Sequence, residues 1–164
     1  MCEFGDRRRD VMGRNGTNGR AGWTELFFLD EVTALAAGHR PCFFCRREDA
    51  RAFAEAFAQG QGASHFSAPE MDRQLHRERR ASGGSAELLD SQPLAALPDG
   101  TMVERWGRGY ALKGGRLLPW GFAGYETPQR PEQSGLGWSL ITPLATVAAL
   151  RQGYCTVWHP SANS

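Results

Sequence analysis

Pro41-Cys42-Phe43-Phe44-Cys45 sets two thiols three positions apart, behind a proline and at the point where a loop gives way to a predicted helix. Sulfurs at that spacing can face one point, and the free N–H groups of a first helical turn favour their ionised form. Zinc suits such a pair, because it takes tetrahedral sulfur and nitrogen ligands and Cys-x-x-Cys supplies half of a structural site. A thioredoxin-type redox pair would need a strand ahead of it, whereas here a helix and the loop Gly38-His39-Arg40-Pro41 come first. Two buried thiols without a metal are the plain alternative.

Two more ligands, or one plus water, must come from Cys2, Cys155, His39, His65, His76 and His159. We take Cys2 and His76 as the candidates. His76 falls in a predicted third helix that a Gly/Ser turn can fold back onto the start of the second. Cys2 belongs to a possible N-terminal hairpin over residues 2–12. Cys155 reads as a small core residue, on the alternation of Tyr154, Thr156 and Trp158 against Cys155 and Val157.

An open site is the competing chemistry. With Cys42, Cys45, His76 and a water on zinc, Glu78 would be the base of a hydrolase. A zinc deaminase also uses His-x-Glu and Pro-Cys-x-x-Cys; both strings are present, as His76-Arg77-Glu78 and Pro41 to Cys45, but in reverse order. Neither a Walker A loop, a dinucleotide fingerprint nor Gly-x-Ser-x-Gly occurs, which argues against nucleotide-cofactor enzymes.

Arginines cluster beside the thiols, as Arg7-Arg8-Arg9, Arg46-Arg47 and the group Arg73, Arg77, Arg79 and Arg80. Converging, they would make a phosphate-binding patch for DNA or RNA. Glu48, Asp49, Asp72 and Glu78 lie among them and could neutralise them as surface pairs. Over the whole chain the charge is balanced: 19 Lys+Arg against 18 Asp+Glu leave +1, so any basic site is local.

The elements that must position these residues read as follows. Residues 23–29 are apolar and aromatic enough for a short buried strand, Asp30 caps a helix over 31–37, and Gly38 stops it. A second helix runs from Cys42, with Phe43, Phe44, Ala50, Phe53, Ala54 and Phe57 at helical spacing, to the turn at 59–62. Ser67-Ala68-Pro69-Glu70 is a capping box that opens a third helix, ending near Ala81. After Leu97, glycine turns separate strands at 101–106, 110–112 and 116–120. Trp138–Ile141 and Tyr154–Trp158 are further strands around a helix over 144–151, with Thr142 its N-cap and Pro143 at N1. Trp106, Tyr110, Trp120, Phe122 and Tyr125 are expected on the buried face of this meander.

The string from Phe27 to Arg46, with Ala36-Ala37-Gly38-His39-Arg40-Pro41-Cys42-Phe43-Phe44-Cys45 at its centre, resembles the C-terminal half of the zinc-binding domain of Ada-type alkylation-repair proteins. It is also similar to a set of uncharacterised bacterial proteins that share Thr-Glu-Leu-Phe-Phe-Leu-Asp-Glu and Gly-His-Arg-Pro-Cys. The resemblance implies zinc on Cys42 and Cys45. The family's N-terminal Cys-x-x-x-Cys is absent, with Cys2 alone in its place, so zinc binding carries over and methyl acceptance does not. The similar proteins extend further upstream, so we expect a segment to precede Met1.

These readings give an α+β fold: an Ada-like zinc-binding half over residues 1–82 and a β-rich half over 97–159, an antiparallel meander with one short helix, together one compact domain of 164 residues. No apolar run approaches the ~20 residues that span a bilayer, and no h-region follows Met1, so the expected address is cytoplasmic. The expected role is a structural zinc protein that binds nucleic acid in repair, defence or regulation.

Overall fold

A computed structural model describes residues 26–89, 93–131 and 137–163. Cys2 and Arg7, Arg8 and Arg9 lie outside the described residues, as do the hairpin expected at 2–12 and the first part of the strand expected at 23–29. The fold is α+β. Four α-helices, α1 (Glu31–Ala36), α2 (Arg47–Gly60), α3 (Ala68–Glu78) and α4 (Leu144–Arg151), accompany the strands β1 (Glu87–Leu88), β2 (Met102–Arg105), β3 (Arg108–Lys113), β4 (Arg116–Gly121), β5 (Gly124–Tyr125) and β6 (Ser139–Leu140). The strands form one antiparallel sheet in the order β1-β6-β2-β3-β4-β5.

Period-two alternation buries both faces of this sheet. Val103, Leu112, Leu117 and Leu140 point to one side, where Leu94, Leu97, Trp138 and Val147 of α4 cover them. Met102, Ala111 and Leu118 point to the other, against Val32 and Ala36 of α1, Tyr125 and Ala162. A third apolar cluster joins the helices: Phe53 and Phe57 of α2, Met71 and Leu75 of α3, and Ala145, Ala149 and Leu150 of α4, with Tyr154 edge-on to Phe53 at 5.2 Å. The two halves of the sequence therefore share a core, since α4 packs on α2 and α3 while Val147 reaches into the sheet.

The caps of α1 and α3 follow the sequence closely. Asp30 accepts from Thr33 N at 3.0 Å while the Thr33 hydroxyl receives Asp30 N at 3.1 Å, and Ser67 and Glu70 form the reciprocal box at α3.

Four expectations are corrected. Leu26, Phe27 and Phe28 form no strand and are exposed, Phe27 to 87%. The second helix does not begin at Cys42: residues 43–46 are turns, Arg46 breaks the run, and α2 starts at Arg47. Thr142 does not cap α4, because its hydroxyl accepts the Met102 N–H at 2.8 Å and thereby completes β2. Residues 154–158 form no strand; Val157 N–H goes to the Glu31 carboxylate of α1 and Tyr154 N–H to Ala149 O, and Cys155 and Val157 are exposed where the alternation expected them inside.

Candidate metal knuckle and its surroundings

The chain reaches Cys42 from a helix end of fixed geometry. Gly38, at φ +78°, donates its N–H to Leu35 O, and His39 donates to Ala34 O, which together satisfy the last carbonyls of α1. Arg40 then forks onto Asp72 of α3, at 2.7 and 2.9 Å, and lies over the Phe43 ring at 5.1 Å. Pro41 is buried. The loop is thus pinned to α3 immediately ahead of the thiols.

Between Cys42 and Cys45 the backbone turns back on the first sulfur. Phe44 N–H donates to Cys42 Sγ at 3.4 Å, and Arg46 N–H closes the turn on Cys42 O at 2.9 Å. An N–H aimed at sulfur stabilises the thiolate that a metal requires. Cys42 is half-buried and Cys45 exposed, so an ion held by the pair would sit at the surface.

Arg46 fixes the far side of the turn. Its Nη1 meets Glu31 at 2.8 Å and its Nε meets Asp49 at 2.9 Å. Burial alone would lower this guanidinium, but the hydrogen bond and charge of Glu31, joined by Asp49, raise it above its ordinary value. Glu31 is the hub of that contact: its carboxylate, 4% exposed, also takes the Tyr154 hydroxyl at 2.8 Å and Val157 N–H at 2.8 Å. Its neighbour Asp30 takes the Tyr125 hydroxyl at 2.8 Å and His159 N–H at 3.1 Å. Adjacent carboxylates of α1 therefore tie the knuckle to the C-terminal segment.

These contacts set an alkaline limit. Burial first, then the charge and hydrogen bond of Asp30, push the Tyr125 phenol well above its ordinary range; burial and then Glu31 do the same for Tyr154. Unfolded, both ionise near pH ~10. The stability they add is whole below that pH and is lost as pH climbs towards their folded values. The urea midpoint of the wild type should fall between about pH 9 and 11, and Tyr154→Phe should lessen the fall; a midpoint level across that range would contradict the assignment.

His76 is exposed, and its Nδ1 lies 2.9 Å from Arg79 Nη2 and 3.3 Å from the Ser82 hydroxyl. Among the described residues no group of three or more His, Cys, Asp or Glu is arranged to hold a metal, so His76 does not join Cys42 and Cys45 in such a group. His39 packs against Phe28 at 5.2 Å, and its pKa is lowered by burial and then by the Arg79 charge. Glu78 serves as a cap: one carboxylate oxygen accepts Ala145 N–H of α4 at 2.8 Å and the other accepts from Gln74 at 3.1 Å. Both Glu78 carboxylate oxygens are thus engaged in joining α3 to α4.

The arginines divide by role. Arg46 is turned inward, Arg79 engages His76 and Ser82, and Arg80 pairs with Glu104. Arg47 and Arg51 of α2 and Arg73 and Arg77 of α3 are exposed, with no ion pair among the described residues. A groove of about 610 Å³ opens beside the knuckle, with Phe43, Ala54 and Phe66 as apolar lining and Arg51, His65 and Ser67 as polar lining. Sequence reasoning passed over Arg51 and weighed His65 only as a metal ligand; the signal of both is their position one helical face and one loop away from Phe43.

No protein-family model, curated protein or solved structure matches this chain. No helix among the described residues is long and apolar enough to cross a membrane.

Proposed function

We propose that this chain is a cytoplasmic zinc protein with a structural metal and that it binds nucleic acid, in a repair, defence or regulatory role akin to that of the Ada-type domain its sequence resembles. The observation that carries the metal reading is the Phe44 N–H directed at Cys42 Sγ inside a Cys-x-x-Cys turn. Cys42 and Cys45 supply two thiolates, and Cys2 is the further donor this reading brings to them. A closed site of that kind needs four protein ligands and leaves no position for a reacting water, so the reading calls for a fourth donor beyond Cys42, Cys45 and Cys2. Arg47, Arg51, Arg73 and Arg77 give outward charge beside the knuckle, to which Arg7, Arg8 and Arg9 would add; Arg46 instead braces the turn from inside.

Elemental analysis of the purified chain tests the metal. The expected result is one zinc per chain, lost in Cys42→Ser and Cys45→Ser, reduced in Cys2→Ser, and kept in Cys155→Ser and His76→Ala. A folded wild type without zinc would end the reading. Nucleic-acid binding should weaken with salt along a log–log line, its slope made shallower by Arg47→Ala with Arg51→Ala.

A further inference from the structure

The two thiols of the knuckle differ in their access to solvent. Cys45 is exposed and Cys42 half-buried, and the Phe44 N–H occupies the Cys42 sulfur at 3.4 Å. A reagent arriving from water therefore meets Cys45 first. Cys42 stands in the same turn, which the bond from Arg46 N–H to Cys42 O closes at 2.9 Å. Residues three apart in such a turn are neighbours, with about 5–6 Å between their Cβ atoms, against the ~4 Å of a disulfide. Only a small tightening separates the pair from a bond between its sulfurs.

That tightening need not disturb α2. The turn is joined to the helix rather than part of it, because Arg46, at φ −132° and ψ 56°, interrupts the helical path before Arg47. The Arg46 side chain is held on Glu31 at 2.8 Å and on Asp49 at 2.9 Å, so a change between residues 42 and 45 is taken up within the turn. Cys155 supplies the contrast. It is exposed as well, with its Sγ 3.5 Å from Gly153 O, but among the described residues no group of three or more His, Cys, Asp or Glu is arranged to hold a metal, so Cys155 does not join the pair in such a group. Sensitive cysteines are those an oxidant can reach with a second thiol beside them. Cys45 meets both conditions.

We propose that Cys42 and Cys45 are a peroxide-responsive site, in which Cys45 is oxidised first and Cys42 resolves it as a disulfide, with release of the zinc. The Cys45 sulfur attacks one oxygen of the peroxide; the O–O bond breaks, Cys45 becomes a sulfenic acid and the other oxygen leaves as hydroxide. The Cys42 sulfur then attacks that of Cys45. The S–S bond forms, the S–O bond breaks and a second hydroxide departs. Two electrons have passed from the sulfurs to the peroxide, and two protons from solvent convert the hydroxides to water. Thiolates hold zinc and a disulfide offers none, so the site lets its ion go. The inference rests on the zinc reading above and adds to it how the site is discharged.

The test treats the purified full chain with hydrogen peroxide in the presence of a chromophoric chelator. The expected result is release of the zinc, with peptide mass mapping that shows Cys42 joined to Cys45. When dimedone, which traps sulfenic acids, is present from the start, its adduct should form about tenfold more on Cys45 than on Cys42 in the wild type. Cys42→Ser, which lacks the resolving thiol, should accumulate the Cys45 adduct, and Cys155→Ser should behave as wild type. Zinc retained under peroxide, an adduct mainly on Cys42, or a disulfide from either thiol to Cys2 or Cys155 overturns the proposal and leaves the zinc reading standing. A chain purified without zinc that still forms the Cys42–Cys45 disulfide by way of Cys45 supports the peroxide site and ends the zinc reading. Neither zinc nor disulfide overturns both.

Discussion

Glu31→Ala lowers the unfolding free energy by about 4 kcal/mol, equivalent to roughly 10 °C in the melting temperature of a chain of this size. The loss comes from what is left behind. Without the carboxylate, the Arg46 guanidinium loses its buried counter-charge, and the Tyr154 hydroxyl and Val157 N–H lose their acceptor. Removing one member of a fully buried ion pair costs ~3–5 kcal/mol, but Arg46 is 35% exposed and keeps Asp49 at 2.9 Å, so its share lies below that range. An unsatisfied donor that stays dry costs ~1–3 kcal/mol; the Tyr154 hydroxyl is buried and bears that cost, whereas the N–H of exposed Val157 can reach water after small movements. We therefore reach a total of about 4 kcal/mol, shared between the ion pair and the Tyr154 hydroxyl.

Glu31→Gln separates charge from hydrogen bonding. Its amide oxygen can still accept from Tyr154, while the attraction to Arg46 is gone, so its loss should fall about midway between wild type and Glu31→Ala. Urea unfolding of the three proteins provides the comparison. A Glu31→Ala stability within about 1 kcal/mol of wild type would mean that Asp49 alone holds Arg46 and that the C-terminal segment docks by its apolar contacts.

Local signals carry most of the elements. Ser67-Ala68-Pro69-Glu70 reads as a capping box because both halves of the reciprocal bond lie within four residues, and the meander is legible because glycine turns bound each strand. The network around Asp30 and Glu31 is not. Asp30 is readable as a helix cap, but its bonds to Tyr125 and His159, and those of Glu31 to Tyr154 and Val157, join residues about a hundred positions apart, which no local pattern encodes. The same network meets part of the backbone of the C-terminal segment: the carboxylates of Glu31 and Asp30 take the Val157 and His159 N–H groups, donors that a neighbouring strand would otherwise have to meet. Aromatic residues mislead in both directions. An apolar run such as Leu26-Phe27-Phe28 reads alike in a core and on a surface, and only its place in a two-residue turn sets Trp106 outside the core that its side chain suggests. At the thiols, the spacing identifies the pair, whereas the brace that Arg46 receives from Glu31 depends on how α1 and α2 pack.

Gly38→Ala should cost about 3 kcal/mol and loosen the proposed metal site with it. Two penalties combine there. At φ +78° a side chain meets its own backbone, which costs ~1–2 kcal/mol for a residue other than glycine. An added Cβ would also stand 2.8 Å from Arg79 Cβ and 3.0 Å from its Cδ, closer than carbon atoms approach, so α1 and the end of α3 must part. Overpacking of this kind adds ~1–3 kcal/mol. Gly83→Ala isolates the first penalty: Gly83 has φ +87° and nothing within 4 Å of where its Cβ would stand, so its cost should be about 1 kcal/mol. The displacement at Gly38 passes directly to Arg40, whose fork on Asp72 is pinned from the same loop, and from there to Cys42. Competition against a chromophoric chelator should accordingly show zinc held about tenfold more weakly by Gly38→Ala than by Gly83→Ala, in line with the loss that follows when a ligand's supporting contacts are disturbed. Equal stabilities and equal zinc affinities in the two variants would show that Arg79 moves aside freely and that the Gly38 turn does not govern where the thiols stand.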